Sequence, residues 1–289
     1  MSRFLFLLFP IMLFACSQKS EHSTEAGSLE TLFKLPAKMK EVSGIALSQD
    51  KKMIWAIEDH GNKSNVYGIS LETGKHIATV KINAENNDWE DITSDRRGNF
   101  YIGDFGNNNN DRKDLCILKI QLDSGLTQTP VLQKTEFYYE GQMDFPPKKS
   151  EWLYDCEGFV EMNGAFYLFT KNRSKNFDGT FLVYRVPDQS GNFEAKLIGK
   201  LQLPGSYNNA AVTSAALSPD GRTIALLTHK NIYLLTGFSE NDFSTTHIRK
   251  VPLQTNTQKE ALVFENAGTL LIADEKDKSN GGNLYRFRF

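Results

Sequence analysis

Carboxylates recur at one kind of place in this chain, at the ends of short apolar runs. Glu90, Glu157 and Glu260 open the segments Glu90-Asp91-Ile92, Glu157-Gly158-Phe159 and Glu260-Ala261-Leu262. Asp104 and Asp274 close Phe100-Tyr101-Ile102-Gly103-Asp104 and Leu270-Leu271-Ile272-Ala273-Asp274. Clustered oxygen donors of this type suit hard cations, Ca²⁺ first and Mg²⁺ next, and no Cys or His spacing matches zinc. Like charges gathered in partly dry surroundings raise one another's pKa or demand a counter-charge. Arg112, Lys171, Arg173 and His229 are the basic groups available, so a bound cation and an internal ion-pair network both remain open. Glu58, Asp59, His60, Trp89 and Asn107 join those four as candidate ligand contacts. For Trp89, as for Trp55, packing is the commoner role, and His60 and His229 are ordinary hydrogen-bonding histidines unless geometry says otherwise. The run Asn107 to Asn110 with Asp111 lacks EF-hand spacing, and no G-x-S-x-G elbow for serine hydrolysis occurs.

These residues can act together only if separate elements bring them to one place. After residue 28 no long amphipathic helix is legible, and short β-type segments alternate with turn residues. They fall into five groups at a repeat length that suggests a propeller. First strands begin at Ser43, Glu90, Glu157, Ser214 and Glu260, mostly a polar residue, a tiny one, then an apolar stretch; Asp91 breaks the pattern. The turns SQDKK, SDRRGN, MNGA, SPDGR and ENAGT follow, then the second strands MIWAIE, NFYIGD, AFYLFT, TIALLT and TLLIAD. The fifth group lacks a fourth strand, and LETLFKL at Leu29 to Leu35 is the spare strand at the other end. The expected fold is all-β, a five-bladed β-propeller closed by that N-terminal strand pairing with the last blade, which hides a sheet edge. A sixth blade concealed between Gln142 and Leu153 is the variant, and a β-sandwich the competing architecture.

In a four-stranded antiparallel blade the first strand starts on the face where the second ends. The loops that leave second strands therefore share a face with the starts of first strands. That face collects Glu58-Asp59-His60-Gly61, Asp104-Phe105-Gly106-Asn107, Lys171-Asn172-Arg173, His229 and Asp274, with Glu90, Glu157 and Glu260 expected to converge at the channel mouth.

Met1-Ser2-Arg3 followed by an apolar run from Phe4 to Phe14 has the form of a signal peptide, too short for a permanent span. It ends in Leu13-Phe14-Ala15-Cys16, which resembles a bacterial lipobox and makes Cys16 the expected lipidation site. The division expected is a signal peptide over 1–16, a polar tether over 17–28 and one propeller domain over 29–289. The partner implied is a lipid bilayer at the bacterial cell envelope, on the outer membrane or the periplasmic face. Cys116 and Cys156 fall on different blades and are expected as buried free thiols. A net charge of −2 favours no nucleic acid, and a monomer is expected.

The segments Asp88-Trp89-Glu90-Asp91-Ile92, Gly103-Asp104-Phe105-Gly106-Asn107 with Arg112, Cys156-Glu157-Gly158, Leu168-Phe169-Thr170-Lys171 and Ser218-Pro219-Asp220-Gly221 resemble those of a bacterial family of phytase-like, esterase-like-phytase β-propellers. The resemblance runs through most of residues 41 to 275. It implies the propeller fold, export and a cation-supported site. The family's Asn-Asp-Ser-Gly turn reads Glu58-Asp59-His60-Gly61 here, and its second Asp after the glycine reads Asn107, so its metal ligands do not carry over one by one. Two functions follow as expectations. The favoured one is a lipid-anchored protein that binds a cation, a small ligand or a protein partner in its acidic funnel. The other is a Ca²⁺-dependent phosphoric ester hydrolase, with carboxylates on metal and Lys171 and Arg112 on phosphate.

Overall fold

A computed structural model describes residues 27–278 and 280–289. The expected signal segment, Cys16 and the expected tether up to residue 26 lie outside the described residues. Among the described residues, twenty strands form five antiparallel four-stranded arrays; Gln128–Thr129 adds a short parallel strand beside His76–Ile82, and Lys276–Asp277 pairs with Asn280–Gly281 in a two-stranded ribbon. Blade one comprises Val42–Leu47, Met53–Glu58, Asn65–Ser70 and His76–Ile82; blade two comprises Trp89–Ser94, Phe100–Asp104, Cys116–Ile120 and Gln133–Tyr139. Blade three runs through Asp155–Met162, Ala165–Lys171, Thr180–Pro187 and Gly191–Gln202, and blade four through Ser214–Leu217, Ile224–Leu227, Asn231–Thr236 and His247–Pro252. Blade five takes Lys259–Asn266, Thr269–Asp274 and Asn283–Arg288 from the C-terminus. Its outer strand is Ser28–Lys34, paired antiparallel to Asn283–Arg288 from Ser28 opposite Arg288 to Lys34 opposite Asn283.

The first strands of successive blades pack side by side in a ring, and the last, Lys259–Asn266, returns to the first, Val42–Leu47. The chain is an all-β propeller. The stretch from Gln142 to Leu153 contributes a single 3₁₀ turn, Lys149–Glu151, and no strand.

Burial explains the order of strands within a blade. Inner strands such as Phe100–Asp104 and Ala165–Lys171 are buried at every position, because both faces of the sheet are covered by neighbouring blades. The outer strand Gln133–Tyr139 alternates instead, with Thr135, Phe137 and Tyr139 inward. A separate apolar cluster fills each gap between blades. Trp55 and Trp89 join blades one and two, Phe105 and Phe159 join two and three, and Ile45 and Leu271 join five to one. The outer edges of blades two and three are further stapled by a parallel pairing of Gln133–Tyr139 with Gly191–Gln202, which leaves neither edge open.

Candidate metal centre

The innermost strand carries a β-bulge at the same level in four blades. Pairing with the second strand skips one residue between Val42 and Gly44, Trp89 and Asp91, Cys156 and Gly158, and Lys259 and Ala261. The skipped residues are Ser43, Glu90, Glu157 and Glu260. A bulge leaves the extra residue unpaired and re-aims its side chain, here into the mouth of the channel. All four line one cavity of about 140 Å³, together with Thr213 from blade four. Thr213 is the equivalent residue there: its hydroxyl donates to the Lys259 carbonyl at 2.8 Å, as the Ser43 hydroxyl donates to the Trp89 carbonyl at 2.7 Å. Aligning Ser214 with the mouth residues, as the sequence suggests, is thus one position late. Ser214 belongs with the tiny residues that follow.

Those tiny residues form the floor. A Cβ on Gly44 would stand 2.7 Å from the Ile92 nitrogen, and one on Gly158 would stand 2.5 Å from the Ala215 nitrogen. At these two positions the inner strands approach so closely that a side chain does not fit without a shift of backbone. Asp91, the exception in the repeat, occupies this layer. Its carboxylate accepts from the amides of Ile92 at 2.9 Å, Ala215 at 3.3 Å and Phe159 at 3.4 Å, and from the Ser214 hydroxyl at 3.2 Å.

Charge at the mouth is divided. On the side of blades three to five, Asp155, Glu157 and Glu260 each have a basic partner. The Arg173 guanidinium reaches Asp155 at 2.5 Å and Glu157 at 2.6 Å, Lys171 reaches Glu157 at 3.0 Å, and His229 reaches Glu260 at 3.1 Å. Burial opposes the Lys171 ammonium, but Glu157 and then Glu260 outweigh it and hold its pKa above the usual value. Burial likewise opposes the Glu260 carboxylate, and Lys171 followed by His229 keeps its pKa below the ordinary one. This half is the ion-pair network.

On the side of blades one and two the charge is uncompensated. Carboxylate oxygens of Asp59, Asp88 and Glu90 lie within 4.8 Å of one another. Asp88 is buried, and its Oδ1 has no hydrogen-bond partner. Burial first, then Asp59, pushes the Asp88 pKa up to about 8. Burial again, then Glu157 and Asp59, drives Glu90 well above the carboxylate range. The backbone presses on the pair from below: a Cβ on Gly106 would stand 2.2 Å from Glu90 Oε1 and 2.4 Å from the Asp88 carboxyl carbon. Across the cavity, burial and then Glu260 push Glu275 up to about 8, while Gln258 donates to it at 2.7 Å. Three carboxylates with converging oxygens and an orphaned buried acceptor make a hard-cation donor set.

Several residues expected at the site are placed elsewhere. Asp104 is buried with its oxygens taken by Arg112 at 2.9 Å, the Asp88 amide at 3.1 Å and the Asn87 side chain at 3.2 Å. Asp274 is taken by Lys259 at 3.1 Å, Tyr285 at 2.8 Å and the Asn283 amide at 2.7 Å. Neither has an oxygen to spare, and neither lines the cavity. The Trp89 ring is wholly buried between blades one and two, so it is core. Asn107 is a buried bracket, its amide donating to Asp155 and its side chain to the Tyr154 carbonyl. Glu58 accepts from the Lys40 amide at 3.0 Å, and the exposed His60 ring sits 2.6 Å from the Asn87 carbonyl. Cys116 and Cys156 are buried free thiols. Conversely, Asp88, Asp155 and Glu275 were not singled out as ligands. For Asp88 the signal in the sequence is its place two residues before Glu90 in Asp88-Trp89-Glu90.

No family model matches the chain, and no curated protein matches it in sequence. Solved structures do resemble it. The PQQ-bound aldose sugar dehydrogenase of Streptomyces coelicolor superposes with a TM-score of 0.52 at 7% identity, over 91% of this chain and 98% of that one. A gluconolactonase of Xanthomonas campestris gives 0.49 at 12% identity, over 91% and 89%. A β-propeller domain from Myceliophteria thermophila gives 0.43 at 11%, over 88% and 86%. At these identities the likeness is one of fold.

Proposed function

We propose that this protein is an exported, lipid-anchored propeller whose channel mouth binds a divalent cation on Asp59, Asp88 and Glu90, with Ca²⁺ the best match. The observation that carries this reading is the buried Asp88 Oδ1, left without a hydrogen bond among uncompensated carboxylates. A buried acceptor of that kind costs about 1–3 kcal/mol unless something satisfies it, and a cation does so while neutralising its neighbours. Lys171 and Arg173, on the far side of the cavity, give the bound ion an asymmetric surround open to a small anionic or hydroxyl-bearing ligand.

Calorimetric titration with Ca²⁺ tests this directly. The protein is expected to bind one ion per chain, and Glu90→Gln to weaken binding by roughly tenfold or more, since each lost factor of ten is only 1.4 kcal/mol. An unchanged binding isotherm in Glu90→Gln would overturn the assignment.

A second reading has a specific support, the presence of Lys171 and Arg173 in the same cavity as the free carboxylates. In it the bound ion and these two cations flank a phosphoric ester. The resemblance to phytase-like propellers points the same way. Both cations are already engaged by Glu157, so a phosphate must compete for them. Chelator-sensitive phosphate release from phytate or an aryl phosphate supports hydrolysis, and its absence leaves the binding function alone.

A further inference from the structure

The two ends of the propeller differ, and the chain enters at a particular one. Ser28 pairs with Arg288, and Arg288 pairs with Thr269, which follows the turn between the first two strands of blade five. The entering strand therefore starts on the turn face, opposite the carboxylate mouth. It reaches the mouth level only at Lys34, beside Asn283, whose amide contacts Asp274.

The turn face also holds the larger opening. A cavity of about 890 Å³ sits there, with Leu47, Ile92, Leu217 and Val263 in its walls and Lys51 and Arg96 at its rim. The Asp91 layer closes it off from the mouth. Lys51, Lys52, Arg96, Arg97 and Arg222 are exposed around this face. Acidic residues share this face: Glu161 lines the cavity, and Asp50, Asp95 and Asp220 accept hydrogen bonds within their own turns from Ser48, Asn99 and Ser218.

We infer that the turn face is the membrane-facing surface, so that the 890 Å³ cavity opens toward the bilayer and the carboxylate mouth opens away from it. This rests on lipidation at Cys16, which belongs to the reading above. The chain from Cys16 to Ser28 can extend at most about 40 Å. Presenting the mouth to the membrane would first require that segment to run back along the blade, whose entering strand is itself about 23 Å long. Most of the reach would be used merely to turn the molecule over. An anionic leaflet attracts Lys and Arg near its surface by about 1 kcal/mol each, and Lys51, Lys52, Arg96, Arg97 and Arg222 stand on the turn face.

The test uses the full-length lipidated protein in vesicles containing phosphatidylglycerol and a headgroup-borne nitroxide quencher. One fluorophore is placed by Gln49→Cys on the turn face, in the turn between the first two strands of blade one. Another is placed by Met143→Cys, on the exposed loop between blades two and three at the mouth face. Quenching is expected to be several-fold stronger at position 49. Mass spectrometry of the N-terminal peptide reports lipidation separately. A lipidated protein quenched equally at both positions, or more strongly at 143, would overturn the orientation while leaving the anchor intact. An N-terminus without lipid on Cys16 would remove the anchor and the orientation together, with the cation site still to be judged by calorimetry.

Discussion

The Asp91 carboxylate and the Ser214 hydroxyl meet 3.2 Å apart inside the ring of innermost strands, from blades two and four. With the Ala215 and Phe159 amides on the same oxygen, Asp91 ties three blades together at the one layer where glycines let the strands crowd in. It divides the channel into the mouth and the turn-face cavity. Asp91→Ala leaves those donors buried without an acceptor, a loss of about 1–3 kcal/mol for each one stranded. Asp91→Asn, which keeps one acceptor oxygen, is expected to lose less. Urea titrations of the two variants check the order.

Arg173 serves two buried carboxylates at once, Asp155 and Glu157. Arg173→Met is expected to destabilise by about 3–5 kcal/mol, because it strands buried charge rather than merely deleting a contact. Arg173→Lys is expected to recover only part of that, since an ammonium lacks the planar fork that spans both partners. Equal stability of the Met and Lys variants would count against the fork.

Asp88 behaves in the opposite way. Its pKa stands near 8 against an ordinary 3.8, raised by burial and by Asp59. A carboxyl whose pKa is raised on folding favours the folded state below pH 4 and loses that contribution as pH climbs through 8. Glu275, near 8 from burial and Glu260, adds a loss of the same sign. The cation-free protein should therefore melt lower at pH 8 than at pH 5, by roughly 2–4 °C per kcal/mol lost. Ca²⁺ should restore more at pH 8, where the ligands are ionised. Asp88→Asn is expected to raise the cation-free melting temperature at pH 8 and to abolish most of the Ca²⁺-induced rise. Scanning calorimetry with and without chelator reads all three effects.

Gly158 tests the packing of the floor. Gly158→Ala drives a methyl to 2.5 Å from the Ala215 nitrogen and is expected to cost about 1–3 kcal/mol, since the obstacle is backbone and cannot swing aside. Gly268→Ala, in an open turn with nothing nearer than 3.9 Å, is expected to stay within about 0.5 kcal/mol of the parent. Similar losses in both would mean that the floor is not close-packed.

Strand order, the five-group repeat, the spare N-terminal strand and the face on which Glu90, Glu157 and Glu260 gather were all legible in the chain, because period, turn chemistry and blade connectivity are local properties. What distinguished Asp59, Asp88 and Glu90 from Asp104 and Asp274 was not. All five are acidic residues at or near strand ends, and nothing in composition tells a saturated carboxylate from a free one. Arg112, Lys259 and Arg173 reach their partners only through contacts made in the folded chain, one of them between residues 15 apart on paired strands. The placing of Thr213 ahead of Ser214 was hidden for a similar reason: a bulge shifts which residue faces the channel, and register is set by pairing between strands. The sequence by itself determined the architecture and the acidic face. Only the tertiary structure decided which charges are neutralised, since neutralisation depends on distances between side chains that the linear order leaves free.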